Sequence, residues 1–259
     1  MNDNKLPTIT GVFILAGGTL LGLILVNNKQ IFKLKASEEG KISNFQVSNI
    51  TDNSANISFI YSLKTECFVR WGEKDNQLEN TAIRQNQSES YSQYFAMNGL
   101  KPSQKYFLRT YCEKNEYSDA NKSWSFRTGS KTLITSDPLF VSGVVLDNKS
   151  QPAENTLVYI TTEGGKTLSS LTTKTGSWLI DVSKTYNSTL SKYMDINPLT
   201  VFYVNAEQSP KSNAFVTIQL SLINKIPPVK LGNNYNYKNE GALMGSENKV
   251  PESFIFLPE

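Results

Sequence analysis

The sequence predicts a mainly β protein, two tandem β-sandwiches after one N-terminal transmembrane helix, and three observations carry that expectation. Strand-length runs rich in Val, Ile, Tyr and Phe recur with Asn, Ser and Thr between them, and the chain holds 12 Tyr and 13 Phe. Once the hydrophobic N-terminus is set aside, the rest of the 259 residues suits two domains of about 100 residues each better than one large core. The run Pro7 to Val26, PTITGVFILAGGTLLGLILV, is uncharged over 20 residues, about 30 Å of helix and so the thickness of a bilayer core. The expected division is an anchor at 1–28, a linker at 29–40, a first sandwich at 41–129, a linker at 130–137, a second sandwich at 138–231 and a flexible tail at 232–259.

The N-terminal run is apolar all round instead of on one face, which separates a membrane helix from a buried core helix. The only plausible small residue for cleavage is Ala36, some ten residues past the apolar stretch, so a retained anchor is expected over a cleaved signal. Lys5 precedes the helix and Lys29, Lys33 and Lys35 follow it, and the positive-inside rule alone would leave the long C-terminal part in the cytoplasm. The downstream domains read as extracellular, and the expectation retained is a single-pass cell-membrane protein with its C-terminal part outside. Gly18 and Gly22 form a GxxxG spacing, which either packs two such helices together or is simply tolerated in lipid.

Composition excludes most chemistry. The chain has no histidine, the side chain best suited to general acid/base work near neutrality and the commonest metal ligand. Ser-His-Asp, Cys-His and HExxH sites are therefore impossible. Two cysteines cannot make a four-thiolate zinc site, and neither a GxxxxGK[ST] loop nor a GxGxxG after a strand occurs. The 23 acidic residues are dispersed, with no carboxylate pair singled out. No catalytic, metal or cofactor site is expected. Net charge is +3 and the 26 basic residues form no stripe, so nucleic acid is not an expected partner.

In the first sandwich the runs ISNFQVSNI, ANISFIYS, CFVRWG, SYSQYFAMNG, KYFLRTYCE and KSWSFRTG are strands. Alternation turns Ile57, Phe59 and Tyr61 inward, then Val69 and Trp71, then Tyr106, Leu108 and Thr110. In GLKPSQKY, Leu100, Pro102 and Tyr106 stand at the L-x-P-x-x-x-Y spacing, and with the closing SFRTG this part resembles a fibronectin type III domain. The resemblance implies a tyrosine corner, in which proline fixes the turn, leucine plugs the core and the tyrosine hydroxyl returns to backbone. VRWG is similar to the variant placed ahead of purple acid phosphatase-like catalytic domains, and Phe59 stands where the family usually carries a tryptophan. On that family's topology Cys67 and Cys112 lie on neighbouring antiparallel strands. They are either a cross-strand disulfide, worth at most roughly 4 kcal/mol, or two buried thiols acting as small apolar residues.

In the second sandwich Gly143, Val145, Asp147, Pro152, Val158, Ile160, Thr173, Gly176 and Trp178 follow a pattern that resembles carboxypeptidase regulatory-like domains, which are transthyretin-like sandwiches without catalytic residues. The resemblance implies close strand approach at Gly143 and a tight Asp-to-Pro connection. TYNSTLSKYMDI reads as a short helical insertion, and LTVFYVNAEQ and NAFVTIQLS as further strands. From Gly232 onward periodicity is lost, leaving SFIFLP either free or docked as an added strand. The triplets Asn49–Thr51, Asn56–Ser58 and Asn187–Thr189 fit the glycosylation pattern, which an Asn-rich chain makes by chance.

The two resemblances together are similar to membrane-anchored bacterial surface proteins. The expected role is a non-catalytic structural or binding module of adhesion type, with a cell-surface glycan or envelope protein as partner. Tyr91, Tyr94, Tyr111, Tyr117 and Trp124 are the contact candidates if their strands face outward. The alternatives are an accessory subunit presenting its sandwiches to an envelope hydrolase, or an inward-facing scaffold if the topology is reversed.

Overall fold

Alternating apolar and polar residues become strands wherever a partner layer can cover one face. The computed structural model describes residues 40–84, 89–133, 136–221 and 225–238. The expected anchor at 1–28, its linker and most of the expected tail lie outside the described residues. Among the described residues no helix is long and apolar enough to cross a membrane.

The first sandwich is built from β1 (Ile42–Ser48), β2 (Ser54–Thr65), β3 (Cys67–Gly72), β4 (Asn80–Ile83), β5 (Ser90–Asn98), β6 (Lys105–Cys112), β7 (Asn115–Tyr117) and β8 (Trp124–Arg127). One sheet runs β1-β2-β5 and the other β4-β3-β6-β7, with β8 also on β6. Strand β6 alternates cleanly, burying Tyr106, Leu108, Thr110 and Cys112 against Ile57, Phe59, Val69 and Phe95. Trp71 is only half-buried, at the rim of that core, with its ring edge-on to Tyr106.

The second sandwich comprises β9 (Phe140–Leu146), β10 (Leu157–Thr161), β11 (Leu168–Leu171), β12 (Ser177–Asp181), β13 (Val201–Ser209), β14 (Ser212–Gln219), β15 (Val229–Lys230) and β16 (Asn234–Tyr237). Its sheets are β11-β10-β13-β14-β16 and β12-β9-β15, closed over Val141, Val158, Trp178, Phe202 and Val216. The chain is mainly β, as the sequence predicts.

Two readings are corrected. The expected tail begins with a strand, because β16 pairs in parallel with β14 and buries Tyr237 in the second core. TYNSTLSKYMDI is no helix. A single 3-10 turn, Val182–Lys184, precedes it, and the segment itself is a loop closed by Asn187, whose Oδ1 accepts from the Ser191 amide at 3.0 Å. A side chain that bonds its own neighbourhood in this way competes with helical backbone bonds.

The sheet β1-β2-β5 lies against β11-β10-β13, so strand β2 is covered on both faces: Ile57 and Phe59 belong to the first core, while Ser58 and Ile60 are equally buried toward the second sandwich. Contacts unite the described residues into one unit from Gly40 onward.

Candidate functional site

The corner of the first sandwich forms around a turn that proline starts. Pro102 is exposed at the turn, Leu100 is buried beneath it, and the buried Tyr106 hydroxyl accepts the Lys101 backbone N–H at 2.8 Å. Cys67 and Cys112 sit directly opposite each other on β3 and β6 with Cα atoms 4.3 Å apart, and they form a disulfide. Both are buried in the first core.

In the second sandwich Gly143 stands opposite Trp178, and a Cβ there would meet the indole at 3.0 Å. Gly176 has φ +73°, and a Cβ would lie 2.3 Å from the Val145 carbonyl, so glycine is required on both counts. Pro152 forms an isolated bridge to Leu146, and the Asp147 carboxylate ties the connection by accepting from Lys149 and Gln151 amides at 2.8 and 2.9 Å. Trp178 is buried in the core. These residues hold the sandwiches' shape, and of them Asp147 and Pro152 also line a cleft beside the junction.

The contact candidates divide by location. Tyr91 and Tyr94 pack into the junction between the sandwiches with Ile60, Leu157, Tyr159 and Leu171. Tyr117 bonds Tyr61 at 2.8 Å, and Trp124 stacks on Phe45 at 4.0 Å. Tyr111 alone of the five faces outward, stacked on Phe68 at 5.0 Å.

The junction is densely hydrogen-bonded around Asn49, whose triplet spells the glycosylation pattern. Asn49 has φ +49°, a backbone region that asparagine tolerates better than most residues. Its amide nitrogen reaches Asn56 Oδ1, Tyr94 Oη and the Ser169 carbonyl at 3.0, 3.0 and 2.9 Å, while its Oδ1 accepts from the Ser169 amide at 2.8 Å. Beside it Tyr159 donates to Ser58 at 3.0 Å, Ser92 to the Gln208 carbonyl at 3.1 Å, and Arg84 to Asn155 at 3.0 Å. Burial pulls the Arg84 guanidinium below its ordinary pKa and pushes the Tyr94 and Tyr159 hydroxyls up. Two clefts flank the junction, one of about 330 Å³ beside Asn56, Arg84 and Ser170, the other of about 550 Å³ between Lys64, Tyr91 and Glu154.

Glu207 is the junction's buried acid. Only 9 % exposed, it accepts from the Asn44 amide, and burial raises its pKa above the ordinary carboxylate value. A raised folded-state pKa means a contribution to stability that is complete below the unfolded pKa and lost as pH rises through the folded one. At this one group acidification out of neutrality therefore favours the fold, so Glu207→Gln should raise the melting temperature at pH 7 relative to wild type and lose that advantage toward pH 4. Thermal melts of both proteins from pH 4 to pH 8 check this, and parallel curves would refute it.

Among the described residues no group of three or more His, Cys, Asp or Glu side chains is placed to hold a metal ion. Fold and surfaces define the class: a tandem β-sandwich protein whose two sandwiches share one buried junction. No protein-family model matches the chain, and no curated protein matches it. Among solved structures it is similar to the central fibronectin-III array of RIM-binding protein, at 20 % identity and TM-score 0.26 over 68 % of this chain and 61 % of that one. Similarity to the FN1–FN3 domains of chicken CNTN1 is 12 % identity, TM-score 0.26, over 68 % and 64 %. For the Bacillus anthracis TIE protein the figures are 9 %, 0.24, 79 % and 41 %. The chain spans less than two thirds of the length of each.

Proposed function

We propose that this chain is a non-catalytic structural or binding protein of the cell envelope, held in the membrane by the apolar run at 7–26 with both sandwiches outside the cell. The first sandwich serves as a fibronectin type III-like module, a reading supported by its tyrosine corner. The second serves as a carboxypeptidase regulatory-like module, supported by Gly143, Gly176 and Trp178.

The observation that carries the outside location is the Cys67–Cys112 disulfide, formed by the only two cysteines in the chain. Disulfides persist in oxidising compartments and are rare in the cytosol. The bonded junction supports a stiff presenting arm over two beads on a string, since each sandwich orients the other.

Cells are quenched with acid, and the denatured protein is reacted with a polyethylene-glycol maleimide with and without prior reduction. Two adducts are expected only after reduction, and protease added to intact cells should digest the sandwiches. Two adducts without reductant, together with protection from the protease, would overturn the proposal in favour of a cytoplasmic scaffold.

A further inference from the structure

The outer face of the first sandwich carries two pairs of like charges in register. Arg70 on β3 stands directly opposite Arg109 on β6, and Lys105 on β6 directly opposite Arg127 on β8. Like charges directly opposite each other destabilise a ladder. Glu116 and Asp75 relieve Arg109, at 2.6 and 3.8 Å, and Glu116 is itself held below the usual carboxylate range by the Tyr111 hydroxyl and Arg109. Among the described residues the other three cations pair with no carboxylate. Arg127 donates to the Ser103 carbonyl, Lys105 lies 4.8 Å over the Phe107 ring, and exposed Arg70 has no hydrogen bond or ion pair among the described residues.

Apolar groups alternate with these cations. Along β6 the outward residues run Tyr111, Arg109, Phe107, Lys105, one every 6.8 Å or about that. Phe68 stacks on Tyr111 with their planes 8° apart, and Ile83 completes the row across β4. Phe68 is 37 % and Ile83 62 % exposed, so both present apolar surface on this face.

We propose that this face docks an anionic glycan chain, with carboxylate or phosphate groups answering the two cation pairs and sugar rings lying along Phe68, Tyr111 and Phe107. The pairs are four residues apart on β6, about 14 Å, too far for one small anion to serve both and within reach of a polymer with repeated charges. The half-buried Phe107 ring between the pairs, with Phe68 and Tyr111 stacked beside them, favours a ring-bearing chain over an acidic peptide. The inference rests on the reading of the chain as an envelope binding protein and names its ligand class.

The full-length chain in detergent is titrated with polygalacturonate, a phosphomannan, neutral dextran and polyglutamate. Binding to one or both charged glycans is expected, with no binding to dextran, weakening about tenfold as salt rises from about 0.05 to 0.5 M. Arg70→Glu and Lys105→Glu should each weaken it at least about tenfold, with thermal midpoints unchanged or raised because the repulsion is relieved. Lys174→Glu, on an exposed turn of the other sandwich, should leave it intact. Failure to bind either charged glycan, binding to polyglutamate alone, or binding that survives both substitutions would sink the inference. The compartment is tested separately by the thiol and protease experiment, so the ligand can fail while the location stands.

Discussion

Replacing Tyr186 by alanine is expected to cost about 3–5 kcal/mol, the range for deleting a large buried aromatic side chain. The reason is its position. Tyr186 lies in the loop after β12, in the sequence of the second sandwich, yet it is fully buried in the core of the first, together with Leu190 and packed on Tyr193 at 4.2 Å. Its hydroxyl donates to the Ser130 carbonyl at 2.8 Å, pinning the segment that joins the sandwiches, and burial pushes its pKa up. One side chain thereby makes the folding of each sandwich depend on the other. Tyr186→Phe keeps the ring and loses one hydrogen bond, for about 1 kcal/mol. Calorimetry should show one transition for the wild type and for Tyr186→Phe, and a lowered or split transition for Tyr186→Ala. A single unshifted transition in Tyr186→Ala would mean that the plug contributes nothing.

Asn49→Ala is expected to cost about 2–4 kcal/mol, and here the loss has two separable parts. The side chain bonds groups on both sandwiches, and its removal takes the acceptor from the Ser169 amide in a part-buried junction and leaves the Ser169 carbonyl only the Tyr94 hydroxyl at 3.3 Å. Alanine must also adopt φ +49°, which costs roughly 1 kcal/mol that glycine avoids. Asn49→Gly should therefore be less damaging than Asn49→Ala, while both release the junction equally. Hydrogen exchange reads that release: the Ser169 amide, which donates to Asn49 Oδ1, should lose protection in both variants while the Tyr106 corner keeps its own. Unchanged exchange at Ser169 would show that the clamp is dispensable.

What could be read ahead of the structure followed from range. The corner spans seven residues from Leu100 to Tyr106, and proline, leucine and tyrosine at that spacing suit one local geometry. Gly176 and the Asp147 turn were legible for the same reason, since a positive φ or a side chain bonding the backbone two residues on is a local demand. The inward series Ile57, Phe59, Tyr61 followed from period two. The same rule is silent about the burial of Ser58 and Ile60, because alternation assumes that one face meets water. Tyr186 went unmarked inside an apparent helical insertion. Asn49 was hidden by a motif it happens to spell, although an Asn directly after a strand, where the chain turns and positive φ is tolerated, was the available signal.

Sequence by itself determined that the chain would be mainly β, where most strands run, which residues turn the tyrosine corner, and that no histidine chemistry is open to it. Tertiary structure alone decided that the second face of β2 is buried, that Tyr186 fills another sandwich's core, and that Arg70 and Lys105 face like charges. Each of these depends on which surfaces meet, and those contacts join residues far apart in the chain, as Asn49 and Ser169 are at 120 positions. Local pattern records what a strand can bury on one side; only the packed molecule says what covers the other.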